Sequence, residues 1–226
     1  MSTPLWQHPL MATLEDGALR PGGLSLTQHT YNKLDITPST QILDAGCGIG
    51  ATSEFIQKSY HASVVGIDIS HTNVQQTQAR GIAALQGTIA QLPFRDATFH
   101  IVNCDCVLSL CDSLPAVLSE FSRVLRPSGI LLFSDLYYRK QYHASAGASH
   151  AGCASSPLQL EAVSAALAAA NFAHITSSDH TKKLKELTAK LIFSGIKSCC
   201  AGNSAQQTTS YDKNIGYIQV VATKKE

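Results

Sequence analysis

The sequence predicts a doubly wound α/β fold, and three observations support this class. Short apolar segments alternate along most of the chain with segments whose apolar residues recur at helical spacing. The apolar segments show little alternation with polar residues, as expected when helices cover both faces of a parallel sheet. The chain has 226 residues, 44% of them hydrophobic, which is enough for one α/β domain with a sizeable core. We therefore expect a single domain over residues 1–226.

The first five strands and three helices alternate between residues 41 and 135. Ser70 precedes the second helix and is a natural N-cap, and a turn with Pro127 and Gly129 ends the third helix. The strands are predicted at 41–44, 63–68, 82–85, 99–104 and 130–135, and the helices at 50–59, 70–80 and 112–125.

The strand–helix pattern lapses after Asp135. Residues 137–156 are rich in Ala, Ser, Gly, His and Tyr, and a loop of this length in a compact domain is often a functional lid. A helix is predicted from Pro157, a natural first helical position, to about residue 169. A strand at 172–177, a helix at 182–193, a flexible loop at 194–213 and a final strand at 215–222 complete the prediction.

The charge balance excludes several classes of function. Seventeen Lys and Arg stand against sixteen Asp and Glu, a net charge of +1, and only 15% of the residues are charged. A disordered chain would be poorer in apolar residues, and a protein that grips nucleic acid or an anionic membrane would normally have a basic surplus. No stretch approaches the roughly 20 apolar residues of a membrane-spanning helix. We therefore expect neither nucleic acid nor membrane as a partner, and a monomer or homodimer.

The seven cysteines form an odd set without the spacing of a small disulfide-bonded scaffold. This pattern suits reduced thiols, and the first residues lack the basic and apolar regions of a signal peptide. Both observations predict a cytoplasmic protein.

A glycine-rich segment after the first strand carries the clearest functional signal. The run Asp44-Ala45-Gly46-Cys47-Gly48-Ile49-Gly50 allows a sharp turn and lets a ligand approach without meeting a Cβ atom. Asp68 ends the second strand, where a carboxylate can accept hydrogen bonds from both hydroxyls of a ribose. Together these residues indicate a cofactor that contains a nucleoside.

The same glycines satisfy the looser G-x-G-x-x-G/A dinucleotide fingerprint, so an NAD-linked oxidoreductase is an alternative. Two features favour a different cofactor. Asp44 lies just ahead of the glycines, where it can meet a cationic amino group, and a pyrophosphate has no use for that carboxylate. The third glycine also follows the second by two residues only.

Four motifs, in matching order and spacing, relate the chain to a known family. They are residues 42–50, residues 65–70, Leu92-Pro93-Phe94 with Phe99, and residues 123–129. On these motifs the chain resembles the class I S-adenosylmethionine-dependent methyltransferases, in particular the small-molecule enzymes similar to those of quinone, sterol and arsenite methylation. The resemblance implies a Rossmann-like sheet of seven mostly parallel strands with the last strand antiparallel. It also implies methyl transfer to a small-molecule acceptor by in-line displacement.

The resemblance further implies which residues hold S-adenosyl-L-methionine. The glycine loop would surround the methionine part, Asp68 would hold the ribose, and Ile69 would lie beside the adenine. Arg20, in an N-terminal cap over residues 1–38, would pair with the methionine carboxylate, unless its segment is a plain Pro-Gly-Gly turn before a helix. The expected cofactor residues are Arg20, Asp44, Gly46, Cys47, Gly48, Gly50, Asp68, Ile69, Thr88, Ile89 and, through its backbone carbonyl, Cys104.

Methyl transfer from a sulfonium mainly requires alignment of the acceptor and exclusion of water, so a catalytic base is optional. Candidates for such a base are His143, His150, Tyr137 and Tyr138 in the predicted loop, where this fold places its acceptor-binding elements. Nothing in their spacing selects one of them, and each is equally consistent with a solvated loop residue.

Three positions depart from the family pattern. Thr88 stands where an Asp commonly reaches the adenine amino group, His100 replaces a usual Asp, and Ser109 replaces a frequent His or Glu near the acceptor. These departures keep open a second hypothesis, a non-catalytic module that retains the cofactor fold.

The cysteines permit a soft-metal site, either at Cys104, Cys106 and Cys111 or at Cys199-Cys200. The spacing matches no established zinc pattern, and buried thiols commonly serve as small apolar residues. We therefore expect no metal.

Overall fold

A seven-stranded sheet forms the centre of the computed structural model, which describes residues 17–18, 20–140, 157–193 and 213–226. The strand order is β3-β2-β1-β4-β5-β7-β6. Strands β1 to β5 pair in parallel, and β7 pairs antiparallel with both β5 and β6. The strands are β1 (Gln41–Ala45), β2 (Ser63–Asp68), β3 (Ala83–Gln86), β4 (Phe99–Asp105), β5 (Leu125–Tyr138), β6 (Phe172–Asp179) and β7 (Ile215–Lys224).

Six α-helices accompany this sheet within the described ranges. Ser70 caps α3 as predicted, since its side chain accepts a hydrogen bond from the amide of Asn73. Ser113 caps α4 in the same way through the amide of Ala116. The helices are α1 (Gly23–Tyr31), α2 (Ala51–Tyr60), α3 (His71–Ala79), α4 (Leu114–Val124), α5 (Leu160–Ala169) and α6 (Thr181–Phe193).

The helices cover both faces of the sheet because successive strand residues point to opposite sides. Leu43 and Val102 pack with residues of α4 and α5 in the largest apolar cluster. Their neighbours Ile42 and Ile101 pack on the other face with Ile56 of α2. The doubly wound, mostly parallel seven-stranded fold is thereby confirmed.

The structure corrects the prediction around the end of β5. The strand continues through Tyr137 and Tyr138, which pair with Gly216 and Ile215 of β7, so the expected loop at 137–156 begins inside the sheet. Pro157 does not start α5, because the amide of Leu158 donates to the carbonyl of Leu136 and the segment runs beside β5. Residues 1–16, 19, 141–156 and 194–212 lie outside the described residues.

Among the helices that the structure describes, none combines the length and apolar character that a membrane crossing requires.

Candidate functional site

A cavity of about 510 Å³ opens where the carboxyl ends of β1, β2, β4 and β5 meet. The strands β2 and β3 lie on one side of β1, and the strands β4 and β5, which follow in the chain, lie on the other side. In open α/β sheets, ligands bind at such a reversal of strand order. Because β3, β2, β1, β4 and β5 lie side by side, groups at their ends form a row along the cavity.

The glycine loop after β1 has a backbone shape that favours glycine at two cavity-lining positions. Gly46 has φ +79°, and a Cβ atom there would come within 2.3 Å of Val107 Cγ2. Gly48 has φ +55°, and a Cβ atom there would meet nothing within 4 Å. The space beside Gly48 therefore belongs to the cavity, as the sequence predicts for a loop that a ligand approaches closely.

Gly50 packs against α3. It is absent from the cavity lining, and a Cβ atom on it would lie 2.7 Å from Thr77 Oγ1 on α3. The contact between the loop and this helix therefore requires a glycine at position 50.

Asp68 lies at the end of β2 and lines the cavity, although only 8% of its surface is exposed. Its Oδ2 accepts a hydrogen bond from the amide of Gly48 at 2.9 Å. Its Oδ1 accepts from the amide of Ser70 at 2.8 Å and from the side chain of Asn73 at 3.1 Å. These bonds fix the orientation of the carboxylate, which retains acceptor capacity for further donors.

Ile69 directly follows Asp68 and is 77% exposed at the cavity. Thr88 and the buried Ile89 line the cavity nearby. The exposed Ile69 side chain offers apolar surface on which a flat ring can pack. The structure thus brings the predicted ribose and adenine residues together.

Asp44 lies at the end of β1 with 2% exposure. It accepts hydrogen bonds from the hydroxyl of Ser53 and, at 3.0 Å, from the side chain of Asn103. Burial raises the pKa of Asp44 to about 6, although these two hydrogen bonds oppose the rise. A cationic group in the cavity would stabilise its ionised form.

Arg20 lies over the same end of the cavity with only 3% exposure. Its Nε lies 3.2 Å from Asp105 Oδ2, and its Nη2 donates to the hydroxyl of Thr27. Burial alone would lower the pKa of Arg20, but the Asp105 carboxylate raises it above its ordinary value. Nη1 is buried and has no hydrogen-bond partner among the described residues. A buried guanidinium nitrogen without an acceptor is costly, so the site is suited to an anionic ligand group.

Asp135, near the end of β5, is a cavity residue that the sequence analysis did not single out. It is 1% exposed, and its oxygens accept hydrogen bonds from the amides of Ser109 at 2.9 Å and Leu136 at 2.7 Å. Burial raises the pKa of Asp135 to about 6. Its place at the end of a predicted strand was the available signal, the same one that identified Asp68.

The described cysteines are buried or half-buried thiols. Cys47 lines the cavity, and burial raises the pKa of its thiol to about 12. Cys104 is fully buried in the core and is absent from the cavity lining, which Asp105 and Cys106 form at this strand end. The contact predicted for Cys104 is therefore not supported. No group of three or more potential metal ligands occurs among the described residues, and Cys199 and Cys200 lie outside them.

Of the four candidate bases, the structure describes Tyr137 and Tyr138, and neither lines the cavity. The Tyr137 hydroxyl donates to Asp179 at 2.5 Å, and its ring packs on Gly216. These contacts hold Tyr137 away from the cavity and do not support a role as a base there. His143 and His150 lie outside the described residues.

Two of the departures from the family pattern also acquire a structural account. His100 lies near the opposite end of β4, where its Nδ1 accepts a hydrogen bond from the amide of Gln41 at 3.0 Å. Ser109 lines the cavity and binds Asp135 through its backbone amide. His100 therefore lies away from the cavity, whereas Ser109 lines it.

A family described as a methyltransferase domain matches residues 43–133, the segment that contains the glycine loop, Asp68 and the strand ends around the cavity. This match confirms the resemblance to the class I S-adenosylmethionine-dependent methyltransferases, and the cofactor, that the four sequence motifs predicted.

Individual relatives agree with this assignment. The chain is 38% identical over 104 residues to a malonyl-[acyl-carrier protein] O-methyltransferase of Herminiimonas arsenicoxydans, covering 46% of this chain and 40% of the relative. It is 32% identical over 126 residues to a phosphoethanolamine N-methyltransferase of Triticum aestivum, covering 53% of this chain and 25% of the relative. The chain thus spans less than half the length of either relative.

A solved structure supports the fold of the chain. Phosphoethanolamine N-methyltransferase 2 of Haemonchus contortus, in complex with S-adenosyl-L-methionine, superposes with a TM-score of 0.74. The superposition covers 100% of this chain and 61% of that chain at 15% sequence identity.

Proposed function

We propose that this protein transfers the methyl group of S-adenosylmethionine to a small-molecule acceptor. One observation carries the proposal: a single cavity has groups suited to a nucleoside at one end and a buried carboxylate at the other. Strands in a sheet are about 4.8 Å apart, so the ends of β2 and β5 are separated by about 14 Å. That length accommodates a nucleoside and an acceptor in line.

The described residues fit the cofactor at three points. The Asp68 carboxylate is held in place by three donors and would accept the ribose hydroxyls, with Ile69 against the adenine. Arg20 Nη1, which has no partner among the described residues, would bind the methionine carboxylate. Asp44 would face the methionine amino group.

The sulfonium, when bound, supplies the activated methyl group. The protein orients the acceptor, and its apolar walls exclude water from the reacting atoms. The glycine loop lets a ligand approach the backbone closely, because the space beside Gly48 is open.

Calorimetric titration of the purified protein with S-adenosylmethionine and S-adenosylhomocysteine tests the proposal. We expect binding of both, and no binding at millimolar concentration would refute it. NADH provides the control ligand, and tighter binding of NADH than of S-adenosylhomocysteine would favour an oxidoreductase instead.

A variant-by-ligand comparison tests the assigned ends of the cavity. Methylthioadenosine shares the nucleoside and thioether of S-adenosylhomocysteine but lacks its amino acid part. Arg20→Gln should weaken S-adenosylhomocysteine at least tenfold and leave methylthioadenosine nearly unchanged, whereas Asp68→Asn should weaken both. Equal losses of both ligands in Arg20→Gln would contradict the contact with the carboxylate.

Three other expectations from the sequence remain predictions. These are a single domain with an N-terminal cap, a monomer or homodimer, and a cytoplasmic location. A non-catalytic module would show cofactor binding without turnover of any acceptor.

A further inference from the structure

One face of α6 forms an apolar wall of the cavity and packs with Leu136, the residue that follows Asp135. Leu184, Leu187, Thr188 and Leu191 line the cavity at the spacing i, i+3, i+4 and i+7, and all four are buried. The lysines and the glutamate of this helix are exposed on its other faces. The wall therefore presents leucine side chains and one hydroxyl to whatever occupies this space.

The charges around the same space are mostly negative. Among the described residues that line the cavity, Arg20 is the one Lys or Arg side chain, and Asp105 is its ion-pair partner. Asp44 and Asp68 belong to the proposed cofactor site. The two other aspartates, Asp112 at the exposed rim and Asp135 in the interior, have no Lys or Arg partner among the described lining residues. An anionic acceptor would meet repulsion and no compensating cation among these residues.

Asp135 is placed to receive a proton at this end. It is held by the amides of Ser109 and Leu136 and retains lone pairs on both oxygens. Its pKa of about 6, raised by burial, makes the carboxylate a better proton acceptor than an ordinary aspartate. The strands β1 and β4 lie between β2, which carries Asp68, and β5, which carries Asp135. Asp135 therefore lies at the end of the cavity away from the proposed nucleoside site.

We infer that the acceptor is a small amine with an apolar body and no anionic group, bound between the leucine face of α6 and Asp135. This rests on the proposed function. The ammonium form of the acceptor first loses one proton to Asp135, which passes it to solvent. The freed nitrogen lone pair then attacks the methyl carbon, an N–C bond forms, and the S–C bond breaks with its electron pair passing to sulfur. The methylated amine leaves with the positive charge that the sulfonium carried. This acceptor differs from the phosphoethanolamine named for the Triticum aestivum relative, because a phosphate would find no cationic partner at this end among the residues that the structure describes.

Three phenyl compounds of similar size test the inference: 2-phenylethylamine, 2-phenylethanol and 3-phenylpropanoate, with phosphoethanolamine as a fourth. Each is titrated into the complex with S-adenosylhomocysteine by calorimetry, and each is assayed for release of S-adenosylhomocysteine from S-adenosylmethionine. We expect the amine to bind at least tenfold more tightly than the alcohol and to be the compound that is methylated. Preference for the alcohol, the carboxylate or the phosphate would overturn the inference.

Two variants assign the effect to these residues. Asp135→Asn should lower amine turnover at least 100-fold and weaken amine binding at least tenfold, with the affinity for S-adenosylhomocysteine kept within twofold. Leu187→Lys introduces a cation into the wall and should weaken the amine while improving binding of the carboxylate. Asp35→Asn, at an exposed site away from the cavity, serves as the matched control.

The design separates this inference from the proposed function. Cofactor binding without selectivity for the amine would overturn the acceptor class alone, and absence of cofactor binding would overturn both. If Asp135→Asn fails to fold, Leu187→Lys still decides the matter, because unchanged preference between amine and carboxylate in that variant contradicts the wall.

Discussion

Replacement of three glycines by alanine separates backbone strain from loss of the ligand space. Gly48, Gly46 and Gly81 all have positive φ, at +55°, +79° and +80°. An alanine in this left-handed region costs roughly 1–2 kcal/mol. A Cβ atom would meet nothing within 4 Å at Gly48 or Gly81, so these two variants should lose the same amount of stability, about 1 kcal/mol.

The two variants should differ in cofactor affinity. Gly81 lies outside the cavity lining, whereas the methyl group added at Gly48 projects into space assigned to the methionine part. We expect Gly48→Ala to raise the Kd of S-adenosylhomocysteine at least tenfold, about 1.4 kcal/mol, and Gly81→Ala to leave it unchanged.

The third variant adds a steric clash to the same strain. In Gly46→Ala the new methyl group would lie 2.3 Å from Val107 Cγ2, which adds about 1–3 kcal/mol of overpacking to the strain. Urea unfolding and calorimetry of the three variants provide the measurements. Equal affinity of Gly48→Ala and Gly81→Ala for S-adenosylhomocysteine would refute our placement of the ligand.

Three further predictions follow from single side chains. Burial raises the pKa of Asp44 to about 6, above its ordinary value, so ionisation of this carboxyl destabilises the folded state. When the pH falls from 7 to 5, the free energy of unfolding of the wild type should therefore rise by about 1 kcal/mol relative to that of Asp44→Asn. Parallel pH profiles in urea unfolding would contradict this. Ser70→Ala removes the N-cap of α3 and should cost about 1 kcal/mol in thermal unfolding, with Ser70→Asp as the retaining control. Tyr137→Phe should keep the turnover number, and a 100-fold loss would restore Tyr137 as a base.

The regular part of the fold follows from the sequence because its signals are local. The strands at β1, β2 and β4 were predicted within about a residue of their ends, since apolar β-branched runs are bounded by turn residues there. Gly48, Asp68 and Ile69 line one cavity, as the sequence predicts, because their positions are set by a local strand–loop–helix motif.

The acceptor end was less predictable because it depends on distant packing. The leucine spacing in α6 identified one apolar face, but no local signal says that this face meets the cavity rather than the core. Asp135 lies in a strand whose alternation alone cannot show which neighbouring residue faces a ligand. The same holds for Tyr137, which follows the lining residues Asp135 and Leu136 in the strand but does not itself line the cavity.

The position of β7 in the sheet has a consequence for how the site assembles during folding. β7 lies between β5 and β6, and its Tyr217 hydroxyl donates to Ser134, which in turn donates to Asp105, the partner of Arg20. This chain of contacts joins segments separated by more than 100 residues, and such non-local pairing is slow to form. A nascent chain can form β1 to β5 before β7 is synthesised. The contacts that link Arg20 and Asp105 to Tyr217 are incomplete until β7 pairs with β5. Competence for the cofactor should therefore appear late in folding, after most of the sheet has formed.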